Sequence, residues 1–149
     1  MNWKIKAFDE LTVHELYDIL YLRSEVFVVE QNCAYQDPDG ADQRALHLTG
    51  TDDDGNLLAY TRIFPPGVQY DEASIGRVVT SPGKGRGKGI GRELMQRSID
   101  AVQEYFGDVD IVISAQAHLD RFYTSLGFRQ ISDIYLEDDI PHIKMKRDH

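Results

Sequence analysis

The stretch from Ser74 to Arg92 constrains this chain more than any other. A run rich in β-branched residues, Ala73 to Thr80, passes into Ser81-Pro82-Gly83-Lys84-Gly85-Arg86-Gly87-Lys88-Gly89. An amphipathic pattern follows at once, with Ile90, Leu94, Met95, Ile99, Val102 and Phe106 at helical spacing. Strand, glycine loop and helix succeed one another without a break. Glycines let a backbone approach a ligand closely and turn successive N–H groups into a concavity. The first turn of the helix adds unpaired N–H groups and the positive end of its dipole. A pyrophosphate is the natural guest.

Charge supports an anion site in the same place. The net charge is −9, which argues against nucleic-acid binding, where a basic field supplies most of the affinity. Yet Lys84, Arg86, Lys88 and Arg92 fall within ten residues that hold no acid until Glu93. An even spread would put about one cation there.

The remaining pattern describes one domain over residues 1–149. At this length roughly 70% of the unfolded surface is buried on folding, so neither metal nor disulfide is required. Trp3–Phe8 reads as a strand. Thr12 and Glu15 form a capping box for a helix on which Leu16, Ile19, Leu20 and Phe27 share a face, with Arg23 interrupting it. Gln31 to Arg44 is turn-rich. Leu46–Thr51 and Leu57–Phe64 read as a hairpin around Asp53-Asp54-Gly55-Asn56. Ile111-Val112-Ile113 reads as a buried strand, and His118–Leu126 as a helix ended by Gly127. Arg129–Tyr135 and Ile140–Met145 read as final strands. The order β-α-β-β-β-α-β-α-β-β predicts a mixed α/β fold.

Several chemistries are excluded by register. A nucleotide P-loop would need Gly at position 82 and Ser or Thr at 89, which are Pro82 and Gly89. A dinucleotide fingerprint started at Gly85 ends on Ile90, and one started at Gly87 ends on Arg92. The five histidines are scattered, with no His-x3-His pair, so no metal site is expected. No Gly-x-Ser-x-Gly elbow occurs. Cys33 is the only cysteine; it permits no intrachain disulfide and reads as a small buried hydrophobe rather than a reactive thiol. Neither a signal-peptide core nor an apolar run near ~20 residues is present, which predicts a soluble, cytoplasmic protein without membrane partners.

What remains is Arg86-Gly87-Lys88-Gly89-Ile90-Gly91, which resembles the Arg/Gln-x-x-Gly-x-Gly/Ala loop of the GNAT superfamily of N-acetyltransferases. Ala115 to Phe128, with Phe122-Tyr123-Thr124-Ser125-Leu126-Gly127-Phe128 at its end, is similar to that family's later strand-to-helix segment. Leu22 to Asp37, Ile75-Gly76-Arg77-Val78, Ala115 to Leu119 and Ile140 to Met145 resemble its ElaA-like branch. One departure stands out: Gly83, Lys84 and Gly85 separate Pro82 from Arg86, where many members carry two residues.

The resemblance implies a GNAT fold, a mixed and mostly antiparallel sheet splayed between its fourth and fifth strands with helices on both faces. It implies direct transfer of acetyl from acetyl-CoA to an amine in a ternary complex. The pantetheine arm would pair with the backbone of Val78, Val79 and Thr80, one of whose N–H groups would polarise the thioester carbonyl. Arg86, Gly87, Lys88, Gly89, Ile90, Gly91 and Arg92 would hold the pyrophosphate. Tyr123 matches the tyrosine that protonates the departing thiolate. Glu30, His142 and His118 are candidate bases for the amine, directly or through water. Asp37, Asp39, Asp42 and Glu137-Asp138-Asp139 read as solvated loop charges rather than as an attractant for a cationic amine. Superfamily members often form homodimers. The competing readings are a non-catalytic acetyl-CoA sensor and an interaction domain without cofactor; the amine acceptor stays unidentified.

Overall fold

The computed structural model describes residues 1–149. Its strands are β1 (Asn2–Ala7), β2 (Leu46–Thr51), β3 (Leu57–Phe64), β4 (Ala73–Thr80), β5 (Ile111–Gln116), β6 (Arg129–Gln130), β7 (Tyr135–Glu137) and β8 (Ile140–Arg147). They form one sheet in the order β1-β2-β3-β4-β5-β8-β6, with β7 also on β8. All pairings are antiparallel except β4 with β5. That parallel pair has only two rungs, Ala73 with Ile111 and Ser74 with Val112, after which the strands part. The sheet is therefore mixed, mostly antiparallel and splayed where expected.

The main helices are α1 (Val13–Arg23), α2 (Ile90–Phe106) and the short α3 (Asp120–Thr124). They cover opposite faces of the sheet, and β3 shows how. Ala59 and Ile63 pack with Leu94, Met95 and Val102 of α2, and Thr61 hydrogen-bonds Ser98 at 2.7 Å. The alternate residue Tyr60 packs with Ile19, Leu22 and Val26 on the other face. This is the period-2 alternation of a strand buried on both sides.

Thr12 caps α1 as read from sequence: its hydroxyl accepts from the Glu15 N–H, and Glu15 accepts from the Thr12 N–H. The helix then widens into a π-helical segment, Ser24–Glu30, a form found mostly at functional sites. The buried face is Ile19, Leu22, Arg23 and Val26 rather than the stripe read from sequence. Arg23, expected to interrupt that face, is the most buried charged residue of the chain, at 0% exposure.

The C-terminal strands also differ from expectation. Arg129–Tyr135 does not run as one strand. The Ser132 hydroxyl takes the Lys144 N–H at 2.9 Å, a bond that a strand carbonyl would otherwise accept, and the ladder breaks into β6 and β7. Likewise His118–Leu126 begins as a 3-10 turn, Ala117–Leu119, before α3. Gly127 closes it at φ 95°, where its missing Cβ removes the left-handed penalty. No helix is long and apolar enough to cross a membrane.

Candidate active site

The parting of β4 and β5 opens a cavity of about 760 Å³. One wall is β4 from Ser74 to Thr80 and the other is β5 from Ile113 to Gln116. Glu30, Val78, Val79, Thr80, Arg86, His118, Tyr123 and His142, all singled out from sequence, lie on this one cavity. Gly87 to Arg92 sit outside its walls, in the loop that Arg86 leads into.

That loop is built by glycine. Gly83, Gly87 and Gly89 have φ of 78°, 79° and 72°, the left-handed region that other residues avoid. Gly85 is buried, and a Cβ there would stand 2.5 Å from the Ser81 nitrogen and 2.6 Å from the Leu58 oxygen. Gly85 thus packs inward, against backbone, and closes a turn by donating to the Ser81 carbonyl at 3.1 Å. From residue 87 to 92 no backbone N–H donates to another backbone group, whereas Glu93 already bonds the Gly89 carbonyl. Gly89 caps α2 without a side-chain partner for those donors. Added Cβ atoms at Gly87, Gly89 or Gly91 would meet nothing within 4 Å, so open space adjoins the loop at these glycines. Free N–H groups, open space and a dipole end suit a pyrophosphate. Ile90 points its side chain into the core and can offer only its N–H. The Arg92 guanidinium is held by the Ser125 hydroxyl at 2.8 Å and lies over Phe122, which ties α2 to α3.

Tyr123 is buried, with Phe122 and Phe128 edge-on to its ring. Desolvation alone pushes its hydroxyl up to about 12, so it stays protonated throughout the physiological range. His142 is also buried, on β8 opposite Gln116. Its Nδ1 lies 2.7 Å from the Ile140 carbonyl, which can only accept, so Nδ1 carries a proton. Nε2 is then the proton-accepting atom when the ring is neutral, and the Glu137 carboxylate lies 3.3 Å from it. Glu30 is exposed and bound through both oxygens to Arg86, at 2.6 and 3.0 Å. Those hydrogen bonds hold its carboxyl below the usual range. His118 is exposed at the start of the 3-10 turn.

Beside this cavity lies a charge cluster that sequence reading treated as solvated. Asp37 is buried and accepts from Arg23 Nε at 2.7 Å, Arg77 Nε at 2.8 Å and the Tyr35 hydroxyl at 2.9 Å. Asp42, also buried, accepts from Arg23 and Arg62 at 2.8 and 3.0 Å. Asp39 takes both terminal nitrogens of Arg62. Three arginines thus meet three aspartates, and the loop acids are spent on structure rather than on drawing in an amine. Burial would raise the Asp39 carboxyl, but the bonds from Arg62 bring it down to about 2. Below the cluster, Tyr60 donates to His47 Nδ1 at 2.6 Å, and His47 Nε2 donates to the Asp42 carbonyl. The one signal for this cluster in the sequence was an arginine standing in an apolar helical stripe. Cys33 is half-buried on the cavity wall instead of in the core.

Residues 22–149 match the acetyltransferase (GNAT) domain. The chain belongs to the GNAT acetyltransferase family. Its relatives in that family match nearly end to end. Protein ElaA of Escherichia coli is 41% identical, with 99% of this chain and 97% of the relative covered. A UPF0039 protein of Schizosaccharomyces pombe is 44% identical, covering 98% of this chain and 96% of its own. The crystal structure of ElaA superposes with a TM-score of 0.90. That of an acyl-CoA N-acyltransferase from Pseudomonas aeruginosa does so with a TM-score of 0.92 at 44% identity, covering 99% of both chains. The open, mostly antiparallel sheet with its parallel β4–β5 pair thus matches GNAT acyltransferase structures, and the ElaA-like resemblance holds over nearly the whole chain.

Proposed function

We propose that this chain is an N-acetyltransferase that takes acetyl from acetyl-CoA and gives it to a primary amine on a small molecule or a peptide. The observation that carries the reading is the cavity itself. It runs between the splayed strands, reaches Arg86 at the entry to a stretch with six free N–H groups, and carries a buried, protonated tyrosine on its wall. Acetyl-CoA, when bound, supplies an acetyl group activated as a thioester. The N–H groups of Gly87 to Arg92, with Arg86 and Lys88, hold its pyrophosphate, and the backbone of Val78 to Thr80 lines its arm.

The chain's own residues then manage protons. An amine acceptor arrives protonated and must lose that proton before its lone pair can attack. His142 Nε2 is the better-placed acceptor, since its tautomer is fixed by Ile140 and Glu137 stabilises the resulting cation. Glu30 is the other acceptor, weakened by its bonds to Arg86. Tyr123 holds the proton that the leaving sulfur takes as the carbon–sulfur bond breaks.

A thermal-shift titration tests the donor first, with ATP and NAD as controls. Acetyl-CoA at ~100 times its dissociation constant adds about 2.7 kcal/mol and raises the melting temperature by roughly 5–10 °C. No shift at millimolar acetyl-CoA would sink the reading. A shift without thiol release over a panel of amines would instead make the chain a sensor.

A further inference from the structure

Strand β4 carries an irregularity at the cavity wall. Tyr60 of β3 faces Val79 and Arg62 faces Gly76, so Thr61 alone opposes both Arg77 and Val78. This is a β-bulge, and the extra residue leaves main-chain groups unpaired. Its effect on the strand is to change faces. Ile75 packs in the cluster under α2, while Val79, four residues later, packs with Ile19 and Tyr60 under α1. In a regular strand residues four apart share a face. The bulge therefore swaps the face on which the following residues lie, bringing Val79 under α1, and it does so where Arg77 and Val78 line the cavity.

Arg77 stands at φ 50°, in the left-handed region. An arginine resists this conformation, and the glycine that would accept it sits one residue earlier, at Gly76. Something outside the strand must hold the backbone there. Arg77 Nε donates to the Asp37 carboxylate at 2.8 Å, and its terminal nitrogen donates to the Asp37 carbonyl at 2.9 Å. A second carboxylate, Asp39, lies 3.5 Å away, and Tyr35 lies against the guanidinium. Asp37 is itself immobilised by the inaccessible Arg23 at the end of α1. The grip on Arg77 thus runs back through a charge-balanced cluster to the end of α1.

We propose that Asp37 and Arg77 form a positioning pair that fixes the β4 bulge, and with it the course of the main chain from Arg77 into Val78–Thr80 along the cavity wall. The proposal rests on the acetyl-transfer reading for its catalytic consequence, though not for the clamp itself. Bulge geometry governs how well an N–H meets developing negative charge, so its loss falls on kcat more than on the acetyl-CoA KM. The pyrophosphate site is elsewhere, in the loop from Arg86 to Arg92.

Two variants at one position test this. Arg77→Ala removes the clamp and leaves a residue that resists φ 50°; Arg77→Gly removes the clamp and leaves one that accepts it. Each aspartate keeps another partner in both, Arg23 for Asp37 and Arg62 for Asp39. Thiol release should fall about tenfold in kcat for Arg77→Ala with the acetyl-CoA KM changed less than about threefold, and Arg77→Gly should regain much of that loss. Arg77→Gly should also melt above Arg77→Ala, against the ordinary order in a strand. Equal kcat losses in the two variants, or a lower melting temperature for Arg77→Gly, would overturn the clamp. If the wild type transfers acetyl to no amine, the parent reading fails instead, and the melting order still decides whether residue 77 is held in the left-handed conformation that the clamp maintains.

Discussion

Glu30 and Arg86 join the end of the π-helical segment to the start of the glycine loop, with two hydrogen bonds of 2.6 and 3.0 Å. The pair ties a candidate base to a candidate pyrophosphate ligand. Both side chains are about two-fifths exposed, so the bridge contributes little to stability. Its consequence lies in proton transfer. A carboxylate held down by a guanidinium is a weak base, so Glu30→Gln should lower kcat less than about tenfold, whereas His142→Ala should lower it ~10²-fold. Steady-state thiol release on both variants checks the order, and the reverse order would make Glu30 the base.

Tyr123→Phe keeps the ring and its contacts with Phe122 and Phe128 while removing the proton. The expected loss is ~10²-fold in kcat, with the melting temperature nearly unchanged. The pH profile gives a second check. The hydroxyl in the fold titrates at about 12, so the acid form persists well above pH 7 and is lost only as pH rises through that value. Activity should rise as the amine acceptor deprotonates and stay level to about pH 10, with no descending limb below it. A limb falling near pH 9 would assign the proton to another group.

Acid should weaken the fold through the charge cluster. The folded carboxyl of Asp39 lies at about 2, below its ordinary value of 3.8. A depressed carboxyl contributes stability that is present above the unfolded value and lost as pH falls through the folded one. Melting temperature should therefore decline between about pH 4 and pH 2, and Asp39→Asn should flatten that decline. An unchanged slope in the variant would place the acid sensitivity elsewhere.

Gly85→Ala is expected to cost more than its one methyl suggests. The new Cβ would meet backbone atoms of Ser81 and Leu58 at 2.5 to 2.7 Å, and backbone cannot rotate away as a side chain can. A loss of roughly 1–3 kcal/mol is expected from such overpacking, together with weaker acetyl-CoA binding as the loop is pushed outward. Chemical denaturation and the acetyl-CoA titration read the two effects separately.

Sequence carried the site further than it carried the cluster behind it. The hairpin and the two long helices follow local rules of spacing, capping and turn chemistry and were legible, whereas the Arg86–Gly91 register and Tyr123 were picked out by family resemblance. Arg23 was legible only as an anomaly. Its partners, Asp37, Asp42 and, through Asp37, Arg77, lie 14 to 54 positions away along the chain. A buried ion cluster leaves no periodic trace, because each member is placed by a different element. The π-helical widening after Arg23 escaped for a related reason: it shifts the buried face by a residue, which a 3.6-residue template cannot represent. Ser132 ended a strand by one hydroxyl, a contact fixed by β8 rather than by its neighbours.

The two rungs between β4 and β5 have a mechanical meaning. Strands β1 to β4 and β5 to β8 are ribbons stitched together over Ala73-Ser74 and Ile111-Val112 and free of each other beyond. A slender guest lodged along the gap would become the missing seam, so that the tightness with which it is gripped and the stiffness of the whole sheet are set by the same bonds.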